Sequence, residues 1–171
     1  ENIGTLLPQI VAHGPEWRVL VVDDASPDGT GEAADAMAAE EPRIMVLHRA
    51  GPKGLGLAYR EGLDLALRAG FEYIFTMDSD LSHDPRALPA LRDLARERGA
   101  AVGSRYVRGG GATDWCCMRR LNSYAVNLLT RLILGLRVRD ASTGFRCFRR
   151  DVLERVEPVT MTGRGYSIME E

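Results

Sequence analysis

The sequence predicts an α/β domain built on a mostly parallel sheet with helices on its faces. Two observations predict it. Short apolar runs at residues 19–22, 44–47, 73–77 and 100–102 read as buried strands, and stretches with helical spacing separate them. The length and composition agree: 171 residues, 45% apolar and 27% charged, suit a single globular domain with its own core. The 22 basic residues nearly balance the 24 acidic ones, which excludes a disordered chain.

Taken in order, residues 6–11 read as a helix that precedes the first apolar run. Residues 30–40 form the next helical stretch. In residues 54–68, Leu55, Ala58, Tyr59, Gly62, Leu63, Ala66 and Leu67 keep the i, i+3, i+4 spacing of one buried stripe, and Gly70 offers a stop. Residues 85–98 read as a helix with Pro85 in its first turn and Asp84 as the cap. Residues 103–114 hold four glycines without apolar periodicity and read as a mobile loop. Residues 121–136 read as an amphipathic helix ending near Gly135. Its apolar side either packs on the sheet or lies on a membrane surface.

Charge is unevenly placed. Residues 1–114 carry 12 basic and 18 acidic groups, residues 115–150 carry 8 and 1, and residues 151–171 carry 2 and 5. The middle block is basic through arginine alone, which suits bidentate recognition of phosphate or carboxylate; a solvated helix face is the plainer reading. Cys116, Cys117 and Cys147 give neither a disulfide framework nor a zinc spacing, so a reducing compartment fits. No apolar run approaches the ~20 residues of a membrane span.

The chemistry gathers where strands end. In open α/β sheets ligands bind at the carboxyl ends of the strands. The first apolar run ends in Asp23 and Asp24, followed by turn chemistry at residues 26–29. Asp24 reads as a ligand contact, whereas Asp28 or Thr30 reads as a helix cap. The third run ends in Asp78, Ser79, Asp80, Leu81, Ser82, His83 and Asp84. In extended chain Asp78, Asp80 and Ser82 project oxygens to one side, a partial cage that suits Mg²⁺ or Mn²⁺ shared with a substrate diphosphate. With no second histidine near it, His83 reads as a structural or solvent-facing imidazole. Lys53, Gly54 and Gly56 do not complete a phosphate loop, and no dinucleotide-binding glycine pattern occurs. Arg105 follows the fourth run on the same rim. Arg119 and Ser123, about one helical turn apart, would complete an anion pocket opposite the acids.

Five ordered motifs carry a resemblance. They are residues 21–30 (VVDDASPDGT), 77–85 (MDSDLSHDP), 103–106 (GSRY), Trp115 with Arg119, Ser123 and Asn127, and 140–146 (DASTGFR). Together they resemble the dolichol-phosphate, or polyprenol monophosphate, mannose synthases of glycosyltransferase family two, over nearly the whole chain. The resemblance implies a GT-A fold, Rossmann-like, and inverting transfer of mannose from GDP-mannose to a polyprenyl phosphate at the cytoplasmic face of a membrane. It further implies that Val22 and Asp24 contact the nucleotide and that Asp78, Ser79, Asp80 and Arg105 contact the donor. Asp78, Asp80 and Ser82 would hold Mg²⁺ or Mn²⁺, and Arg119 and Ser123 would contact the acceptor phosphate. Asp80, Arg105 and Arg119 would be the catalytic contacts. Many members have glutamine at the place of Ser82.

The first strand of that fold, with its Pro-Thr-Tyr-Asn-Glu motif, would lie before Glu1. A single catalytic domain over residues 1–171, truncated at both ends, is therefore expected, with a gap in the middle of its sheet. Residues 1–171 alone are expected to be poorly stable and inactive. Within them, residues 115–139 form a basic amphipathic segment that would face the acceptor and the membrane. Two other readings stay open: a family-two transferase using another donor, such as UDP-glucose, or another acceptor, and a non-catalytic nucleotide-sugar-binding or membrane-surface module. Few aromatics accompany the arginines and no recognition motif occurs, so nucleic acid is excluded as a partner.

Overall fold

The structure is a computed structural model that describes residues 2–107, 110, 117–135, 138–160 and 163; along residues 117–134 it describes the side chains of 124–130, 132 and 133. Helix α1 (Asn2–Val11) buries Ile3, Leu6, Leu7 and Val11, one stripe at helical spacing. Strand β1 (Val19–Asp23) leads through α2 (Thr30–Glu40) to β2 (Ile44–His48), and the two strands pair in parallel from Val19 opposite Ile44 to Asp23 opposite His48. Asp28 accepts hydrogen bonds from the Thr30 N–H and hydroxyl at 3.2 and 2.7 Å, a local turn ahead of α2, whose cap position is Gly29 rather than the expected Asp28 or Thr30.

Helix α3 (Leu55–Arg68) follows, then β3 (Tyr73–Thr76), a 3-10 turn at Pro85–Ala87, α4 (Leu88–Arg98) and β4 (Ala100–Val102). Asp84 caps the 3-10 turn by accepting the Arg86 N–H at 2.9 Å. Helix α5 (Cys117–Leu134), β5 (Arg146–Arg149), α6 (Arg150–Val156) and a second 3-10 turn at Pro158–Thr160 complete the order.

The second sheet has the order β3-β5-β4, with β5 antiparallel to both neighbours. Neither β5 nor α6 was expected. The third apolar run also ends earlier than expected, at Thr76 rather than Met77. The main core gathers Trp17, Leu88, Leu91, Ala95, Ala101, Phe145 and Cys147 beneath this sheet. Burial pushes the Cys147 thiol up to about 12, so it stays protonated and serves as packing.

Strands β1 and β3 belong to separate sheets and do not pair; residues of both line one cleft of about 1180 Å³, together with residues of α1, α3 and α4. Its apolar lining includes Leu6, Leu7, Val21, Leu63, Ile74 and Leu88.

Among the described side chains of α5, Val126, Leu128, Leu129, Leu132 and Ile133 are exposed, the last at 77%. What anchors the helix is Asn127, which is buried: it donates to the Arg139 carbonyl at 2.7 Å and accepts the Ala141 N–H at 3.0 Å. The expected loop over residues 103–114 is described at 103–107 and 110 only, with Val107 bonded through its carbonyl to the Gly110 N–H.

Candidate active site

Three strand ends build the site. At the end of β1, Asp23 is buried; its Oδ1 accepts the Ser26 N–H at 3.1 Å, and its Oδ2 lies 3.3 Å from His48 Nδ1. The bonds from Ser26 outweigh burial and hold this carboxyl below the usual carboxylate range. His48 also reaches Asp35 at 2.9 Å, and these two carboxylates raise its pKa, Asp35 foremost.

Asp24 turns the other way. Its Oδ2 accepts the Gly54 N–H at 2.7 Å, and its Oδ1 accepts from Arg49 Nη1. Arg49 is 6% exposed and spreads its guanidinium over Asp24, the Pro52 carbonyl at 3.1 Å and Glu61 at 2.8 Å. Its Nε is a buried polar atom without a hydrogen-bond partner among the described residues. Asp24, expected to contact nucleotide, is thus held by a buried arginine that sequence reasoning missed. The signal was available: Arg49 directly follows β2, the strand paired with β1, and so stands on the same rim.

At the end of β3 the chain does not run on extended. Leu81 takes φ +63°, a left-handed conformation, and Asp80 Oδ1 accepts the Ser82 N–H at 2.9 Å. That turn corrects the route by which Asp78, Asp80 and Ser82 were expected to share a side, because strand alternation does not govern these positions. Hydrogen bonds from Ser82, its side chain foremost and its N–H second, outweigh burial and lower the Asp80 pKa, so its carboxylate is charged at neutral pH. Asp78 lies against α3 and the 140–146 segment: its Oδ1 is 3.5 Å from the Tyr59 hydroxyl, and a Cβ on Gly144 would come within 2.8 Å of the same oxygen. Thr76 fixes this neighbour by donating to the Gly144 carbonyl at 2.6 Å.

Arg105 stands beyond β4. Its Nε and Nη2 each reach a carboxylate oxygen of Asp140 at 2.7 Å, and Nη2 also reaches Ser142 at 2.9 Å. Burial drives the Asp140 pKa up, but the Arg105 fork more than offsets it, so the net shift is downward. His83 lies between the acidic turn and the 140–146 segment, its Nε2 3.8 Å from Asp78 Oδ2 and 3.4 Å from Thr143 Oγ1.

The structure brings Val22, Asp78, Ser79 and Asp80 to the lining of that cleft, whereas Asp24 and Arg105 are not among its lining residues. Asp24 sits aside with Arg49. The side chains of Arg119 and Ser123, expected on the acceptor phosphate, and residue Trp115 lie outside the described residues. Among the described residues no group of three or more His, Cys, Asp or Glu gathers as a cation cage. What is present is an all-oxygen set, Asp78, Asp80 and the Ser82 hydroxyl, whose chemistry fits a hard divalent cation completed by substrate oxygens.

The model of glycosyl transferase family 2 matches residues 1–157. The chain belongs to that family. This family 2 domain is 43% identical over 166 residues to an undecaprenyl-phosphate mannosyltransferase of Micrococcus luteus, covering 97% of the chain and 68% of that protein. It is 41% identical over 169 residues to a polyprenol monophosphomannose synthase of Mycolicibacterium smegmatis (97% and 63%). It is 33% identical over 176 residues to a dolichol-phosphate mannosyltransferase of Pyrococcus furiosus (100% and 48%). The family 2 domain thus spans between about half and two thirds of the relatives it matches.

Proposed function

We propose that this domain transfers mannose from GDP-mannose to a polyprenyl phosphate, giving polyprenyl phosphate mannose and GDP with inversion at the anomeric carbon. The names of the three relatives support the sugar and the acceptor class. The observation that carries the reading on this chain is that Val22, Asp78, Ser79 and Asp80 line one cleft.

The chemistry asks little of a base. A lipid phosphate is anionic at neutral pH, so its oxygen attacks the anomeric carbon without first losing a proton. The new C–O bond forms on the face opposite the departing diphosphate, which takes the bonding electrons with it. Positioning and charge compensation carry the rate. Val22 and Asp24 contact the nucleotide, while Asp78, Ser79 and Arg105 orient the donor. Arg119 and Ser123 receive the acceptor phosphate. Asp78, Asp80 and Ser82 would hold Mg²⁺ or Mn²⁺, which when bound offsets the charge growing on the diphosphate.

A polyprenyl acceptor brings a membrane surface with it. No helix among the described residues is long and apolar enough to cross a membrane. The exposed apolar residues of α5, in a segment that also carries Arg119, Arg120 and Arg131, suit peripheral contact with anionic headgroups at the cytoplasmic face.

Calorimetric titration of the intact protein with GDP-mannose and with UDP-glucose tests the donor. Binding at least ten-fold tighter for GDP-mannose is expected. Preference for UDP-glucose would move the domain to another family 2 donor, and binding of neither would favour a non-catalytic module.

A further inference from the structure

We propose that His83 is a positioning residue that ties the backbone of Asp78 to the 140–146 segment, so that the acidic turn and the Arg105–Asp140 pair keep one mutual geometry. The proposal rests on the donor-site reading above, since that site is what the geometry serves.

The ring is held on three sides. His83 Nδ1 accepts the Asp78 N–H at 3.1 Å. A ring nitrogen that accepts carries no proton, so the neutral ring has its proton on Nε2. That nitrogen lies 3.4 Å from Thr143 Oγ1 and 3.8 Å from Asp78 Oδ2. The ring face stacks on Phe145, with centroids 4.9 Å apart and planes 10° from parallel. Each of these partners is itself fixed: Thr143 Oγ1 accepts the Phe145 N–H at 3.2 Å, and the Phe145 carbonyl accepts the Gly103 N–H at 2.8 Å. Phe145 also belongs to the main core.

These bonds narrow what the ring can do. One nitrogen is taken by a backbone donor and the other faces a hydroxyl, so neither presents a lone pair to a cation, and the ring is no metal ligand here. An anionic acceptor needs no imidazole base. What remains is mechanical: β3 ends at Thr76, the turn beyond it bends through Leu81, and His83 returns from that turn to grip the backbone at its start. The same ring touches the 140–146 segment, whose first residue carries Arg105. One side chain thus couples the two charged halves of the site.

Three substitutions in the intact protein separate this role from packing. In His83→Asn the amide oxygen takes the place of Nδ1 and still accepts the Asp78 N–H; in His83→Gln the oxygen falls nearer the Nε2 position; His83→Phe keeps the stack and removes both nitrogens. Free Mn²⁺ is measured by its paramagnetic resonance signal in the presence of GDP, alongside kcat, KM for GDP-mannose and the melting temperature, with Asp80→Asn as control. His83→Gln and His83→Phe are expected to weaken Mn²⁺ binding and lower kcat/KM by about ten-fold or more, as losses of supporting contacts around metal sites do. His83→Asn should stay within about three-fold of wild type on the same scale. Should Phe fail to fold, Asn against Gln carries the contrast. Equal Mn²⁺ binding by wild type, Gln and Phe overturns the proposal, as does an Asn variant no better than Gln at equal melting temperature. Wild type that binds no Mn²⁺, or Asp80→Asn that binds it normally, overturns the donor-site reading and the proposal with it.

Discussion

Arg105 and Asp140 form a two-pronged ion pair: two nitrogens of one guanidinium each lie 2.7 Å from a different oxygen of a carboxylate that is 0% exposed. The Arg105 backbone N–H adds a third bond to Asp140, at 3.2 Å. Arginine is needed here because its planar fork matches both oxygens, which an ammonium cannot do. The pair closes the rim of the site by joining the segment after β4 to the segment before β5.

Asp140→Asn is expected to lower the unfolding free energy by about 2–3 kcal/mol in urea denaturation, somewhat less than the cost of breaking a fully buried pair because the arginine keeps some access to water. The pH dependence has a definite sign. The folded pKa of Asp140 lies below its ordinary 3.8, so the contribution is complete above that value and is lost as pH falls through the lower folded pKa. A variant as stable as wild type at neutral pH would show that the pair contributes nothing.

Arg49 and its two acids separate a buried ion pair from an exposed one. The Arg49 side chain is 1% exposed, Asp24 26% and Glu61 49%. Removing Glu61 as Glu61→Gln should cost under about 1 kcal/mol, since water screens that side. Arg49→Met should cost about 2 kcal/mol and weaken nucleotide binding, because Asp24 loses the partner that holds it. Similar urea midpoints for the two variants would contradict this ordering.

Much of the fold was legible, for a physical reason. Strands β1, β2 and β4 and helix α2 are local patterns, an apolar run or a helical stripe between turns, and they lie where the pattern puts them within a residue. Strand β5 is different. Arg146-Cys147-Phe148-Arg149 is four residues long, half of them arginine, and becomes a strand because β3 and β4 pair with it from both sides. Its pairing is long-range, so no local period marks it. The candidate site divides in the same way. That acids cluster at strand ends could be read from order alone, but the left-handed turn at Leu81, the burial of Arg49 and the grip of His83 on Asp78 depend on tertiary neighbours.

Gly144 is the position where a single methyl group tests the packing of the acidic turn. A Cβ there would stand 2.6 Å from the Tyr59 hydroxyl and 2.8 Å from Asp78 Oδ1, closer than van der Waals contact permits. Gly144→Ala should therefore shift Asp78 and cost about ten- to a hundred-fold in kcat/KM, the scale of an ångström misplacement. The far-ultraviolet circular dichroism should stay unchanged. Wild-type turnover by this variant would show that the Asp78 side chain has no fixed catalytic position.

His48 gives stability a second pH dependence of opposite sense. Held between Asp35 and Asp23, its folded pKa lies above the ordinary 6.5. Its contribution is complete below 6.5 and is lost as pH rises through the folded value. In melting curves, wild type should exceed His48→Gln by more at pH 6 than at pH 9. The same difference at both values would mean that the imidazole is not charged in the folded state.

The exposed face of α5 should carry the contact with lipid. Leu132→Ser with Ile133→Ser is expected to reduce sedimentation with anionic phosphatidylglycerol vesicles several-fold, in proportion to the apolar area lost. Neutralising Arg119, Arg120 and Arg131 should abolish its salt sensitivity. Unchanged vesicle binding in both variants would remove the membrane from the account.

The most direct measurement of the central claim is mannosyl transfer by the intact protein, supplied with GDP-mannose, Mn²⁺ and a short polyprenyl phosphate, for wild type beside Asp80→Asn. The account predicts polyprenyl phosphate mannose from wild type and a loss of at least about a hundred-fold in the variant, whose fold should be intact. Equal transfer by both proteins, or none from folded wild type, would contradict it.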